Sequence, residues 1–324
     1  MDALSEILRV VHMSGAFFIN ARFSAPWCYQ SPQASLAAPW LDPAAEQIVI
    51  FHLITEGECL VEMEGQPSQR VQAGDVLLFP TGAAHRMTSA AGLPPPPGAA
   101  NLQKLLNSRP RRLAYGGGGA ATRMVCGYLA CDTRLARLLL NGLPPTVVVS
   151  LRDSEAGVWL ESSVRYALAE ARTPRPGSAG LLAKLSELLF IEVLRQHVHQ
   201  CEGQVGWLAG LSDRVVGNAL NALHRKPSHD WTLVDLAREA GTSRSVLAER
   251  FQQLVGTSPM SYLTQWRLMM AANLLRRSNT PLARVAEEVG YQNDTSFSRA
   301  FRREYGAPPS AWRRSCLQRE ALVQ

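Results

Sequence analysis

Apolar positions alternate with period two through the first half of the chain and recur at helical spacing through the second. IVIFHLITEGECLVEME (48–64) reads as two strands joined by a turn at Glu56–Gly57. Ile48, Ile50, His52 and Ile54 share one face; Cys59, Val61 and Met63 share a face of the next strand. Arg70–Ala73 and Val76–Phe79 continue the pattern around Gly74–Asp75, with Pro80–Gly82 as the following turn. Asn20–Pro32 is an extended edge segment broken twice by proline, and MDALSEILRVVHMSGAFF before it is an amphipathic helix. Gly92–Arg123, with four prolines in a row and four glycines in a row, reads as an irregular insertion, mobile at least in part. Strands at Met124–Ala130 and Thr146–Leu151 follow, joined by a short helix at Arg134–Asn141 and a turn at Leu143–Pro144.

From Val158 onward the spacing is helical. Val158–Arg172 and Gly180–Gln200 are two helices, and the second carries more leucine than one small barrel needs covered. That surplus fits either a dimer face or packing on the outside of the strands. Gly203–Leu211 reads as a glycine-rich linker. Beyond it one pattern occurs twice. Leu233, Ala237 and Gly241 recur 49 residues later as Leu282, Ala286 and Gly290; Leu247, Phe251, Gly256 and Pro259 recur 50 residues later as Phe297, Phe301, Gly306 and Pro309. Each copy is a helix, a tight turn and a second helix. Thr232 and Asp235 form a capping box, Ser243 caps the next helix, Thr280–Pro281 opens the second copy, and Gly241 and Gly290 supply the stops. Tyr262–Ser278 between the copies is an amphipathic spacer with Leu263, Trp266, Met270 and Leu274 on one stripe.

In a helix-turn-helix the second helix enters the DNA major groove. With Leu247 and Phe251 turned inward, Arg244, Ser245, Ala248 and Glu249 are left to face the bases; with Phe297 and Phe301 inward, Thr295, Ser298, Arg299 and Arg302 are. An arginine forks onto a guanine edge and a glutamate accepts from a cytosine amino group. A rigid spacer would set the two helices about one DNA turn, roughly 34 Å, apart. Charge agrees with this placement. Residues 1–210 hold 17 Lys/Arg against 17 Asp/Glu, whereas 211–324 hold 16 against 10, so the whole net +6 lies with the repeat.

Arg267–Pro309 resembles the signature of the AraC/XylS family through R-L-x-x-A-x-x-L-L, V-A-x-x-V-G-Y and S-F-S-R-A-F-R-R-x-Y-G-x-x-P. The resemblance implies binding of double-stranded promoter DNA, usually as an activator contacting RNA polymerase. Gly74, Pro80, Gly82 and His85 resemble the second motif of the cupin β-barrel, and residues 15–152 resemble the cupin-type sensor of that regulator family. In metal-binding cupins a first motif supplies H-x-H; here His52 is the upstream candidate by itself, so no metal, cofactor or catalytic set is expected. His52 and His85 are the candidate effector-binding residues. The rival, a metal-dependent cupin enzyme with an appended helical domain, needs ligands this sequence lacks.

The fold expected is α+β and multidomain: a cupin-like β-barrel (1–152), a helical dimerisation segment (153–202), a linker (203–212) and an all-α tandem helix-turn-helix domain (213–316). Six cysteines in 324 residues are too sparse for a disulfide framework, and no apolar run spans a membrane. A cytoplasmic homodimer responding to a small molecule is the expectation. The PWC segment at Cys28 and the VCG strand at Cys126 resemble regulators that respond to reactive oxidants. An exposed thiol of lowered pKa at Cys28, Cys126 or Cys131, near Arg22, Arg86 or Arg123, is the alternative sensor.

Overall fold

The computed structural model describes residues 2–10, 13–14, 19–41, 45, 47–95, 112–131, 139–140, 142–152, 155–173, 175–200 and 206–323. In chain order the N-terminal elements are α1 (Ala3–Val10), β1 (Met13–Ser14), β2 (Ile19–Ser24), β3 (Cys28–Ser31), α2 (Ala34–Leu41), β4 (Gln47–Glu56), β5 (Glu58–Glu62) and β6 (Gln69–Gln72). Then come β7 (Asp75–Phe79), β8 (His85–Thr88), β9 (Arg112–Gly116), β10 (Ala121–Cys131), β11 (Val147–Ser150), α3 (Glu155–Arg172) and α4 (Ser178–Gln200). The C-terminal helices are α5 (Trp207–Ser212), α6 (Arg214–Arg225), α7 (Leu233–Glu239), α8 (Arg244–Val255), α9 (Pro259–Arg277), α10 (Leu282–Glu288), α11 (Asp294–Tyr305) and α12 (Pro309–Val323). They make two compact units: one is Met13–Thr133 with Leu143–His197, the other Met1–His12 with Arg134–Gly142 and Val198–Gln324.

The strands of the first unit form two sheets and not one closed barrel. The larger runs β11-β7-β4-β10-β2-β9, with β1 also on β10; the smaller runs β3-β8-β5-β6. The chain changes sheet at the two predicted turns. Gly57 (φ 74°) carries it from β4 to β5, and Gly74 (φ 89°) from β6 back to β7. A Cβ on Gly57 would lie 2.2 Å from the Ala121 carbonyl oxygen, so close backbone approach as well as φ selects glycine there. Both sheets feed one core, with Ala21, Phe23, Ile54, Leu77, Phe79 and Met124 from the larger meeting Cys59, Val61, Val71 and Met87 from the smaller. Ile48, Ile50 and Ile54 do face that core from β4, as the alternation predicted.

Asn20–Pro32 is not uniformly an edge. β2 lies between β10 and β9, and β3 alone is at a sheet margin. β9 comes from the stretch expected to be irregular: Arg112–Gly116 pairs parallel to Asn20–Ser24. The four glycines after it wrap the 24–26 corner. The N–H groups of Gly117 and Gly119 donate to Ser24 and Ala25 carbonyls at 2.9 and 2.8 Å, and a Cβ on Gly116 would sit 1.9 Å from the Ser24 oxygen. These glycines serve close packing and not looseness. Residues 96–111 of that stretch lie outside the described residues, as does most of the helix predicted at 134–141.

In the second unit the linker expectation also changes. Gly203–Val205 lie outside the described residues, but 207–212 is helix α5, with Trp207, Leu208 and Ala209 buried. The opening helix α1 packs here too, its Ala3 N–H donating to Asn221 Oδ1 at 2.8 Å. The spacer α9 is not amphipathic but buried on two sides. Tyr262, Leu263 and Trp266 pack toward the first copy, with the Phe251 ring 5.6 Å from that of Tyr262. Leu268, Ala271, Ala272 and Leu275 join the second copy's core of Val285, Phe297, Phe301 and Tyr305. A helix apolar most of the way round belongs inside.

The repeat holds at its caps. Thr232 accepts from Asp235 N–H, Ser243 from Val246 N–H and Asn293 from Ser296 N–H. Past each first helix the same pair of bonds recurs: Gly241 N–H to Arg238 O with Thr242 N–H to Ala237 O, and Gly290 N–H to Glu287 O with Tyr291 N–H to Ala286 O. One cap differs, since Pro281 itself takes the N-cap position and no side chain caps α10. The equivalent glycines have unequal surroundings. A Cβ on Gly241 meets nothing within 4 Å, whereas one on Gly290 comes 2.7 Å from Ser228 Cα. Gly241→Ala is therefore expected to cost about 1–2 kcal/mol, the left-handed backbone penalty alone. Gly290→Ala should cost clearly more in urea unfolding of the full chain, and equal midpoints would contradict the close approach of Ser228.

Candidate DNA-reading helices and sensor pocket

α8 and α11 are the second helices of the two copies, held by Leu247 and Phe251 in one and Phe297, Phe301 and Tyr305 in the other, all buried. The faces opposite are open: Arg244, Ser245 and Glu249 on α8 and Thr295, Arg299 and Arg302 on α11 are exposed, with Ala248 and Ser298 half-buried. Among the described residues Arg244, Arg299 and Arg302 form no ion pair, so their guanidinium groups are uncommitted. Other arginines are spent internally. Arg250 pairs with Asp213, whose carboxylate also caps α6 through the N–H groups of Val215 and Val216. Arg267 donates to the carbonyls of Pro227 and His229, both at 2.7 Å, and Arg313 donates to the Thr280 carbonyl. Val246, 40% exposed at the start of α8, was not singled out by the sequence pattern. An apolar residue beside Ser245 on an otherwise polar turn is the signal that would have found it, because a thymine methyl offers such a side chain its match.

In the other unit β4 and β8 bring His52 and His85 together, with their Nε2 atoms 2.8 Å apart and both rings buried. His85 stacks on Phe79 at 3.6 Å between centroids, and its Nδ1 lies 2.8 Å from the Ala83 carbonyl oxygen. Burial is the main reason both histidines are held below their ordinary range: His52 well below 6.5, with His85 as a second cause, and His85 down to about 4. Among the described residues no third His, Cys, Asp or Glu joins them in a metal-ligating group. His52 lines a pocket of about 50 Å³ with Tyr29, Ser31, Ile50, Cys126 and Tyr128.

The thiols do not match the expectation of an exposed, acidified nucleophile. Cys28, Cys126 and Cys131 are 2, 7 and 4% exposed. Burial raises the Cys28 pKa despite the opposing charge of Arg86, and it raises that of Cys126 further. Two of the three positive neighbours foreseen are engaged elsewhere, Arg86 with Glu62 and Arg123 with Glu56. Strand interiors bury alternate residues on both faces in a two-sheet core, and these cysteines fall there.

Known families match both halves. The family described as Cupin matches residues 2–199 and the one described as a helix-turn-helix domain matches 236–315. An AraC-like transcription regulator of Streptomyces antibioticus is 35% identical over 97% of this chain and 99% of its own. The chain belongs to the AraC family of transcription regulators. The RCS-specific transcriptional activator RclR of Escherichia coli is 28% identical over 98% of this chain and 99% of its own. Among solved structures, the DNA-binding domain of AdpA in complex with target DNA is 28% identical, covers 32% of this chain and 92% of that one, and has a TM-score of 0.30. AraC-family membership makes double-stranded DNA the partner of the helical unit. Among the described residues no helix is long and apolar enough to cross a membrane.

Buried neutral histidines give this AraC-family chain an acid limit. In the helical unit the Trp207 indole N–H donates to the Tyr262 hydroxyl, which shares a second hydrogen bond with His224 Nε2, each at 2.7 Å, and burial lowers the His224 pKa to about 3. The unfolded chain takes up protons near pH 6.5 that folded His52, His85 and His224 refuse. Stability is then full above about pH 6.5 and falls below it, by about 1.4 kcal/mol per pH unit for each group. The loss from His85 levels off near pH 4 and that from His224 near pH 3. Urea midpoints taken between about pH 7.5 and 5 should drop steeply below the ordinary histidine range; a flat profile would contradict the neutral state of these rings.

Proposed function

We propose that this regulator reads two adjacent major-groove segments of promoter DNA with α8 and α11. The observation that carries the reading is the matched, uncommitted face of the two helices: Arg244, Ser245, Ala248 and Glu249 on one, Thr295, Ser298, Arg299 and Arg302 on the other. Val246 joins the first set. Activation through RNA polymerase, residence in the cytoplasm and the absence of any catalytic step or cofactor go with the family reading. A homodimer through α3 and α4 is supported by the exposed Val158, Trp159, Tyr166 and Leu188 along those helices. The two-sheet domain senses a small effector at the pocket lined by His52, with His85 behind it. The domain limits follow the sequence reading, with 207–212 moved from linker to DNA-binding domain and Met1–His12 and Arg134–Gly142 moved to the helical unit.

Arg299→Ala is expected to relax preference at one base position at a cost of about 1–3 kcal/mol, read as binding across single-base operator variants. An unchanged profile would remove Arg299 from the readers. A second reading, gating by oxidation of Cys28, Cys126 or Cys131, is favoured by Cys126 lining the pocket and by the named specificity of the Escherichia coli relative. Burial and the raised thiol pKa values weigh against it. Genomic footprinting with and without hypochlorite separates the two. Occupancy that changes on oxidation, reverts with a thiol reductant and is lost in Cys28→Ser or Cys126→Ser would favour the thiols; sites indifferent to oxidant would favour the pocket. No discrete sites at moderate salt would overturn the proposed reading helices.

A further inference from the structure

The proton positions on the buried histidine pair follow from their partners. The Ala83 carbonyl only accepts, so His85 Nδ1, 2.8 Å away, carries a hydrogen and donates. His85 is neutral, which leaves its Nε2 a bare lone pair, and the proton between the two rings therefore sits on His52 Nε2. His52 is neutral as well. Its Nδ1 must then be a bare acceptor, and it is buried with no hydrogen-bond partner. A buried acceptor left unmatched is destabilising, and a donor that reaches it is favoured for that reason.

The unmatched acceptor belongs to the ring that lines the pocket; His85 does not line it. The pocket's other polar groups are engaged or weak. The Tyr128 hydroxyl donates to the Leu41 carbonyl at 2.7 Å, Tyr29 bonds with Ser31, and Cys126 offers a thiol. Among the described residues no Asp, Glu, Lys or Arg lines it, and against those residues a charged ligand would be buried without a counter-charge. The remainder is apolar: Ile19, Pro32, Ala34, Ala37, Leu41 and Ile50. The 50 Å³ available admits about four water-sized groups at roughly 10–15 Å³ each.

We propose that this pocket binds a small uncharged molecule with a short apolar body and one alcohol hydroxyl, whose O–H donates to His52 Nδ1. The relay of Ala83 carbonyl, His85 and His52 fixes that acceptor in place, so His85 is a positioning residue and His52 the contact. The inference deepens the proposed effector role of this pocket and rests on it.

The test uses the full chain with its histidine nitrogens isotopically labelled, and two matched probe pairs at millimolar concentration: ethanol with fluoroethane, and 2-propanol with 2-fluoropropane. Nitrogen correlation spectra of the free protein should show His85 protonated at Nδ1 and His52 at Nε2. The hydroxyl member of a pair should shift the His52 Nδ1 resonance and bind about tenfold tighter than its match. His52→Gln keeps both functions, an N–H toward His85 and an oxygen toward the ligand, and should keep the preference; His52→Leu should bring the ratio near one. A proton on His52 Nδ1 in the free protein, no hydroxyl probe that moves its resonance, or an unchanged ratio in His52→Leu would overturn the proposal. Should His52→Leu not fold, the wild-type spectra and His52→Gln decide. Footprints on promoter DNA are read separately: hydroxyl binding that leaves them unaltered keeps the pocket chemistry and removes its role as effector site, whereas discrete footprints with no hydroxyl binding remove the ligand alone.

Discussion

The burial of α9 on two sides is the constraint on which the helical unit depends. One helix gives Trp266 and Tyr262 to the first copy and Leu268, Ala271 and Leu275 to the second, so neither helix-turn-helix has a core of its own to float on. The alanines let α10 and α11 approach closely, while the large rings fill the wider gap toward α6 and α8. Burying Tyr262 brings a hydroxyl into that core, and the chain answers it with Trp207 on one side and His224 on the other. The bond to Trp207 comes from α5, which is why a segment that looks like a linker is ordered as part of the domain. Removing the hydroxyl would leave an indole N–H without its acceptor, a larger loss than the bond itself contributes.

The two-sheet unit solves a different problem, that of moving the chain between sheets without stranding backbone groups. It does so at glycines, and the corners at Gly57 and Gly74 are crowded by neighbouring atoms and not merely permissive of an unusual φ. The same economy puts histidines where a metal-binding cupin would carry ligands, yet turns their nitrogens toward each other. A proton held between two buried rings leaves no charge to desolvate. The histidines are thus neutral by construction, and the pocket they adjoin selects uncharged molecules for the same reason.

How much of this was legible in the sequence follows the range of the forces involved. Caps, stops and inward stripes of the tandem copies are local, set within a few residues, so Thr232, Ser243, Gly241, Gly290, Phe251 and Phe301 all landed where the pattern placed them. The strands of 47–88 were legible by alternation. The pairing of β9 with β2 was not, because a parallel contact between residues 112–116 and 20–24 leaves no short-range mark, and the glycine run beside it looks like slack until Ser24 and Ala25 are seen against it. The burial of the thiols was hidden for the same reason: exposure and neighbouring charge are tertiary facts. His52 was found as a solitary histidine on an apolar face, and only the fold could show that its partner is 33 residues away.

The repeat has duplicated a scaffold and divided the chemistry. α11 carries Arg299 and Arg302, which form no ion pair among the described residues and are the kind of side chain that serves both a guanine edge and a phosphate. α8 spends Arg250 on Asp213 and shows Val246, Ala248 and Glu249 outward, next to Arg244 and Ser245. A carboxylate held against a duplex repels every phosphate near it, so Glu249 adds little attraction of its own and discriminates by what it refuses. If Arg302 meets a phosphate, its loss should weaken binding broadly and flatten the salt dependence, whereas loss of Arg299, like changes on α8, should alter which sequence is preferred more than how tightly DNA is held.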